Sequence, residues 1–447
     1  MTSVREPALD GGVLRPGGPR RNWGRSQSWR PEFVAQASSI EDVVSAVGFA
    51  RDRGLTVKPI GAGHSFTSIA ATSGVQLDIS AIDGVLAVDG DLVTLAAGTN
   101  LYQLPALLGQ HHLALENMGD IDKQTIAGAV STGTHGTGAR FGGLATQIAA
   151  MTFVTADGGI LKVSPTENAE LLPAARIGLG ALGVLVDVTL RCVPEYLLHA
   201  VETPEPLEAV LDDWLGRTSS VDHFEFYWFA HTASALTKTN TRMPAGTPRK
   251  PQNRLAAWID DEVLPNGLYV LMCQLGVIAP ATTPPLNRLS EKAVAAREVT
   301  DGWHAVFTSP RRVRFREMEY ALPVDAVPSA FRAVRDLIDA KGWRVTFPLE
   351  VRVSAPDDNW LSTAYGRQTG YIAVHRYYRE DPAEYFREIE AIMRAHDGRP
   401  HWGKMHERTA DDLRPAYPHF DDFIAVRDRL DPDRLFANDY LARVLGS

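Results

Sequence analysis

The segment Lys58–Thr67 runs from a β-branched, apolar stretch into a turn, Gly61-Ala62-Gly63-His64-Ser65-Phe66. Glycines there free consecutive backbone N–H groups to converge on an anion, giving a phosphate nest that needs no basic side chain. A second nest candidate lies at Ala129–Gly138, where Ser131, Thr132, Thr134 and Thr137 alternate with Gly133, Gly136 and Gly138 around His135. Either segment alone reads as a tight turn; together they can grip a diphosphate from both sides, which suits a dinucleotide. Farther on, Glu350 and Arg352 stand two apart, so on a strand they share a face and reach one ligand or each other. Such a pair is commonly an inert ion bridge. The flanking Phe347, Leu349, Val351 and Val353 point instead to a buried strand, where charge is costly and usually functional. His375 and Lys404 add an imidazole and an ammonium from two other segments.

These groups need a scaffold. Ser39 caps a helix whose inner face carries Ile40, Val43, Val44 and Val47 and which stops at Gly54. Short strands are expected at Val57–Ile60, Val75–Ile79, Val85–Val88 and Leu92–Ala96, a helical stretch near 100–110, and further strands at Met151–Thr155 and Val184–Cys192. Helix and strand signals mix without a βαβ rhythm, which makes the first unit α+β. Pro194, Pro204 and Pro206 precede a rise in aromatic content, and the boundary is placed there: an irregular arm at 1–29 that must still bury Trp23 and Trp29, a first domain at 30–197, a second at 198–447. Arg242–Asn253 and Ala279–Asn287 read as Pro-rich surface loops.

Gly178-Leu179-Gly180-Ala181-Leu182-Gly183 completes the pattern G-x-G-x-x-G. A nicotinamide fingerprint follows a strand and opens a helix. Here Leu171–Ile177 reads as helix and Val184–Leu190 as strand, so a Rossmann site has little support.

The chain of 447 residues suggests two or three folded units, and its net charge of −9 argues against a general nucleic-acid or anionic-membrane binder. One basic run, Arg311 to Arg316, is closed by Glu317 and Glu319 and reads as a solvated or ion-paired strand face. Cys192 and Cys273 sit in apolar stretches and read as buried free thiols. His396, His401 and His406 are five apart, no carboxylate cluster joins them, and no metal is expected. No signal peptide or membrane span is read, leaving the cytoplasm as the default address, with peripheral membrane association open.

The segments Gly61–Ile69, Leu115-Glu116-Asn117-Met118-Gly119-Asp120, Gly128–Gly138 and Gly180–Val184 together resemble the FAD-binding domain of the vanillyl-alcohol oxidase superfamily. The resemblance is nearest to the aldonolactone and alditol oxidases. Glu350-Val351-Arg352, His375 and His401-Trp402-Gly403-Lys404 stand in the order of that group's substrate-side residues, and Leu430-Asp431-Pro432, Phe436 and Asn438 resemble its closing segment.

The resemblance implies a two-subdomain FAD-binding domain of the PCMH type, a cap domain on a large antiparallel sheet, and a return of residues 420–447 to the FAD domain. It implies FAD bound by Gly61, Ala62, Gly63, Ser65 and Phe66, by Gly119, Asp120, Thr125 and Gly128, and by Ser131, Thr134, His135, Gly136 and Val184. His64, a turn histidine on a bare reading, matches the residue these enzymes join covalently to the flavin. Glu350, Arg352, Lys404 and His375 become the catalytic set, taking a hydroxyl proton and holding the developing alkoxide as hydride leaves for flavin N5. Asp120 and Tyr377 replace a serine and a threonine of the alditol oxidases, which favours an aldonolactone over an open-chain polyol. Gly119 resembles the small residue that admits O2, though some relatives use another electron acceptor. The alternatives are an alditol oxidase releasing H2O2 and a flavin-binding protein without turnover.

Overall fold

The computed structural model describes residues 13–252, 269–293, 296–309 and 313–446; Gly11, Gly12, Asn253, Arg311 and Arg312, which figure in the sequence reading, lie outside them. The arm is not irregular where it is described. Val13–Pro16 pairs antiparallel with Phe33–Gln36, and Arg20–Arg21 with Ser28–Trp29. Strands this short, rich in Arg and Pro, carry no alternation of their own, and their register is set by the partner.

Two small sheets follow. In one, Val13–Pro16, Phe33–Gln36, Val75–Asp78 and Val57–Ile60 lie side by side, the last three parallel. The other is antiparallel, with Ile160–Val163, Ile148–Val154, Val184–Arg191, Leu92–Ala96 and Val85–Asp89 in order. Ser39 caps the helix Ile40–Arg51, its side chain accepting from the Asp42 amide, and Val43, Ala46, Val47 and Ala50 join one core with both sheets. The helices Phe420–Leu430 and Asp439–Leu445 bury Phe423, Leu441 and Val444 in that same core.

The remaining large element is an eight-stranded antiparallel sheet, whose order is Arg297–Gly302, Tyr196–Pro206, Ser234–Pro244, His223–Trp228, Leu349–Ser354, Thr369–Tyr377, Phe315–Pro323 and Arg399–Pro400. A second core holds the helices Val327–Lys341 and Ala383–Ala395 against one face, through Leu349, Val351, Val353, Met318, Tyr320, Ile372 and Val374. Period-2 alternation then sends Glu225, Glu317, Glu319, Glu350, Arg352, Tyr371 and His375 to the opposite face.

Ala279–Asn287 is not a loop. It spans a 3-10 turn, Pro280–Thr282, and the start of the helix Thr283–Ala293. Pro284 and Pro285 occupy the first helical turn, where an absent N–H costs nothing, so prolines that read as a break mark a start. Arg242–Pro244 ends a strand, and Lys250 bridges to Thr300 beyond it.

Candidate active site

An open cleft with about 1050 Å³ of empty space runs through the first domain, bounded by Lys58–Ser65, by Thr125, Gly128 and Ser131, and by Gly178–Gly180, Leu182 and Gly183. Six glycines line it, together with apolar residues such as Ile69, Phe153 and Leu185. Gly63 and Gly180 have φ of +69° and +64°, which glycine adopts freely. A Cβ on Gly61 would stand 2.3 Å from the Thr125 hydroxyl oxygen, so the two loops meet with no room for a side chain. The G-x-G-x-x-G run lies between the helix Leu172–Ala175 and the strand Val184–Arg191, which excludes a Rossmann fingerprint, yet its glycines line this cleft.

Lys58 is the only lysine or arginine lining the cleft among the described residues. It is fully buried, and its ammonium donates to the carbonyls of Gly180 at 3.1 Å and Phe436 at 3.0 Å. Burial pulls its pKa down to about 7, against the opposing pull of Asp431. A cleft with glycine turns, apolar side chains and one weakly charged amine in its lining fits a long dinucleotide whose diphosphate is held by amides.

His64 stands at one end of the cleft, its ring stacked on Trp23 at 5.3 Å and 19°. Burial, reinforced by Lys404, lowers its pKa to about 4, which keeps the imidazole neutral near pH 7. The arm fixes this turn: the Trp23 amide donates to the Gly63 carbonyl, Asn22 to that of Ser65 and Ser26 to that of Phe66. From the other side the Phe66 amide donates to the Gly403 carbonyl at 2.7 Å, tying the turn to the segment that carries Lys404.

The inner face of the large sheet meets the cleft there. Arg352 binds Glu350 directly, and reaches Glu225 at 3.0 Å and Asp120 at 3.3 Å. Burial works against its charge, but Glu350, then Asp120 and Glu225, drive its pKa well above the ordinary value. Lys404 binds Glu317 and lies 5.4 Å from the Phe66 ring centroid. The other oxygen of Glu317 lies 3.5 Å from His375 Nε2, and His375 Nδ1 lies 2.9 Å from the Pro348 carbonyl. Next to it, His135 reaches from the first domain to Glu319 at 3.4 Å and stacks on Tyr371 at 3.6 Å.

The expected site residues therefore divide. Gly61, Ala62, Gly63, His64, Ser65, Thr125, Gly128 and Ser131 line the cleft. Phe66 packs with Phe315, Phe347 and Tyr377 in an apolar cluster beside His64. Asp120 and His135 face the sheet through their ion pairs, while Thr134 accepts from Gln124 at 3.0 Å. Gly119 and Gly136 pack against backbone: a Cβ would come within 3.0 Å of the His135 carbonyl oxygen at 119 and 2.3 Å of the Met118 carbonyl oxygen at 136. Val184 is wholly buried in its strand, outside the cleft lining.

Glu225, Glu317 and Glu319 escaped the sequence reading as site residues, while Lys58 entered it only as the start of a turn segment and His401 only within the run that ends at Lys404. The signal for two of them existed, since Glu317 and Glu319 alternate with Met318, Tyr320 and Leu322, but they read as neutralisers of the arginines before them. They point away from Arg316 along the strand and bind Lys404 and His135. His135, Glu319 and His401 also bring three potential ligand atoms within 4.8 Å, a grouping from three segments that local spacing does not reveal.

Comparison with known proteins agrees with this layout. Residues 31–164 match an FAD binding domain, and residues 188–444 match the D-arabinono-1,4-lactone oxidase family. The chain is 44% identical to an L-gulono-1,4-lactone dehydrogenase of Mycobacterium tuberculosis, over 95% of this chain and 98% of that protein. It is 34% identical to the L-gulonolactone oxidase of Bos taurus, over 95% and 97%. Its fold is that of cholesterol oxidase from Brevibacterium sterolicum, with a TM-score of 0.82 at 17% identity, over 98% of this chain and 99% of that one. With an FAD-binding α+β domain, a large antiparallel sheet set against it, and relatives aligned over nearly their whole length, this chain belongs to the D-arabinono-1,4-lactone oxidase family of FAD-dependent oxidoreductases.

Proposed function

We propose that the protein oxidises a CH–OH carbon of a sugar-derived aldonolactone of the L-gulono- or D-arabinono-1,4-lactone type, with FAD in the glycine-walled cleft and O2 or another acceptor as the final oxidant. The observation that carries this reading is the junction of the His64 end of the cleft with the buried Glu350–Arg352 and Lys404–Glu317 pairs. Bound FAD supplies a two-electron hydride acceptor.

The chain's residues supply the rest. Arg352, fixed by three carboxylates, presents a rigid cation to substrate oxygens, and Glu350 accepts from a substrate hydroxyl. Lys404 stabilises the oxygen that loses its proton. Asp120, drawn onto Arg352, narrows the site from the cofactor side and favours a ring over an extended polyol. Gly119, packed against the His135 backbone, adds no side chain there, and so small a residue supports access for O2. His64, neutral and beside the cleft, serves as the nucleophile for covalent attachment to the flavin. Residues 30–197 bind the cofactor, residues 198 onward form the substrate cap, and the stretch from about 420 returns to the first domain. No helix among the described residues is long and apolar enough to cross a membrane.

Two measurements test the proposal. Acid precipitation of the yellow protein leaves the chromophore in the pellet, whereas His64→Ala sends it to the supernatant. Anaerobic addition of gulono- or arabinono-1,4-lactone bleaches the flavin much faster than xylitol does; bleaching by xylitol alone would move the assignment to an alditol oxidase.

A further inference from the structure

The strand His223–Trp228 turns Phe224, Phe226 and Trp228 into the second core, which leaves His223, Glu225 and Tyr227 on the inner face of the large sheet. The protein itself occupies the first two. His223 Nδ1 lies 2.7 Å from the Thr137 carbonyl, and Glu225 accepts from Arg352 at 3.0 Å and lies 3.5 Å from Lys238. Tyr227 stands directly across from Glu350, in the field of the Glu225, Glu350 and Asp120 carboxylates and of Arg352, yet its hydroxyl finds no hydrogen-bond partner among the described residues. Glu225, Glu350 and Arg352 are buried, whereas Tyr227 is only half-buried. Burial, then Glu225 and Glu350, holds its pKa well above the ordinary phenol value, so the hydroxyl stays protonated and can both donate and accept. In the sheet order, two strands, Leu349–Ser354 and Thr369–Tyr377, separate the strand of Tyr227 from that of Glu317. Three strand intervals amount to about 14 Å. Lys404 is bound at the Glu317 side, and Glu350 and Arg352 lie between. A ligand whose reacting hydroxyl is at Lys404 and which passes Glu350 and Arg352 therefore points its far end toward Tyr227.

Resting on the oxidase reading above, we propose that Tyr227 binds the exocyclic hydroxyl arm of the aldonolactone and so sets the preference for lactones that carry such an arm. The ring, with the carbon to be oxidised, lies at the Lys404 end over Glu350 and Arg352. The arm extends from Glu350 toward Tyr227, where the phenol donates to an arm hydroxyl oxygen. Asp120 and Glu225 stay drawn onto Arg352 and leave that contact to Tyr227. A lactone without the arm leaves the phenol unpaired beside three carboxylates, and an unpaired polar group in such a site is what discriminates between substrates. No bond is made or broken at Tyr227, so its effect falls on affinity and selectivity, not on hydride transfer.

The test compares wild-type and Tyr227→Phe holoenzyme in anaerobic reduction by gulono-1,4-lactone, which has the arm, and by erythrono-1,4-lactone, a ring without it, the latter titrated also as a competitor. The concentration dependence of flavin bleaching separates affinity from limiting rate. Tyr227→Phe keeps the ring and removes only the hydroxyl. It is expected to weaken binding of gulono-1,4-lactone about three- to tenfold, with the limiting rate changed less than about twofold and the affinity for erythrono-1,4-lactone unchanged. Removing the hydroxyl and removing the arm are then non-additive, which a merely structural change at Tyr227 would not produce. Tyr227→Leu is the second variant and should lose the same selectivity, so a folding defect in one leaves the other to decide. Equal weakening of both lactones, or weakening of neither, overturns the proposal. A wild type bleached by no lactone would instead overturn the oxidase reading.

Discussion

Arg352 illustrates how a buried charge is kept. Removing a guanidinium from water costs several kcal/mol, and the low-dielectric interior repays this only when geometry and partners are good. Three carboxylates, Glu350, Asp120 and Glu225, surround it from two strands and from the cofactor domain. A planar five-donor fork can serve all three and still offer an edge to substrate; an ammonium cannot. Arg352→Lys is therefore expected to raise KM for the lactone by about 10- to 100-fold, equivalent to about 1.4 to 2.7 kcal/mol, with bound FAD retained. Steady-state kinetics beside the visible spectrum of the purified variant checks this, and an unchanged KM would remove Arg352 from substrate contact. The sequence made Arg352 and Glu350 legible because their spacing is local. It hid Glu225, because a single carboxylate inside the aromatic run His223–Trp228 carries no pattern; only strand pairing brings it to Arg352.

At the scale of elements, the cofactor cleft depends on loops that touch. Gly61 abuts Thr125, and the Thr125 hydroxyl in turn accepts from the Gly128 amide at the start of the helix Ile126–Ser131. Gly61→Ala forces a Cβ into that hydroxyl. The protein is expected to purify with less than half the flavin of the wild type, measured by absorbance ratio, and Gly61→Ala combined with Thr125→Ala should regain most of it. Recovery is incomplete because the lost cap costs roughly 1 kcal/mol. If Gly61→Ala alone carries full flavin, the close approach of the two loops is not what shapes the cleft. Elements with strong local patterns, such as the helix after Ser39 and the strand around Val351, were readable. The arm strands and the helix opening with Pro284 and Pro285 were not, since tertiary pairing decides the first and a rule about position decides the second.

Across the whole molecule, the domain junction is rich in histidines that burial keeps neutral. His223 is held at about 4 and His401 at about 3, burial being the largest cause in each. In the unfolded chain these rings take a proton near pH 6.5, so between roughly pH 4 and 6.5 the unfolded state binds more protons and stability falls as pH drops. Each ring contributes at most about 3 to 5 kcal/mol over that window. Thermal unfolding of the holoenzyme at pH 7.5 and 5.0 should show a clear drop in Tm at the lower pH, and His223→Asn should reduce that drop. An identical Tm at the two pH values would mean these rings are hydrated in solution.

The first domain also depends on partners far along the chain. The Val57 amide donates to the carbonyl of Leu435, Lys58 to that of Phe436, and Asn438 to those of Ser68, Ile69 and Ala71. Lys58 and Phe436 are 378 positions apart. At ordinary elongation rates the ribosome needs about 20 to 75 s to cover that distance, and throughout that time the nascent glycine turns have an open flank. Cofactor capture in its final form therefore belongs after translation of the closing helices, and free FAD and folding chaperones meet a half-built domain until then.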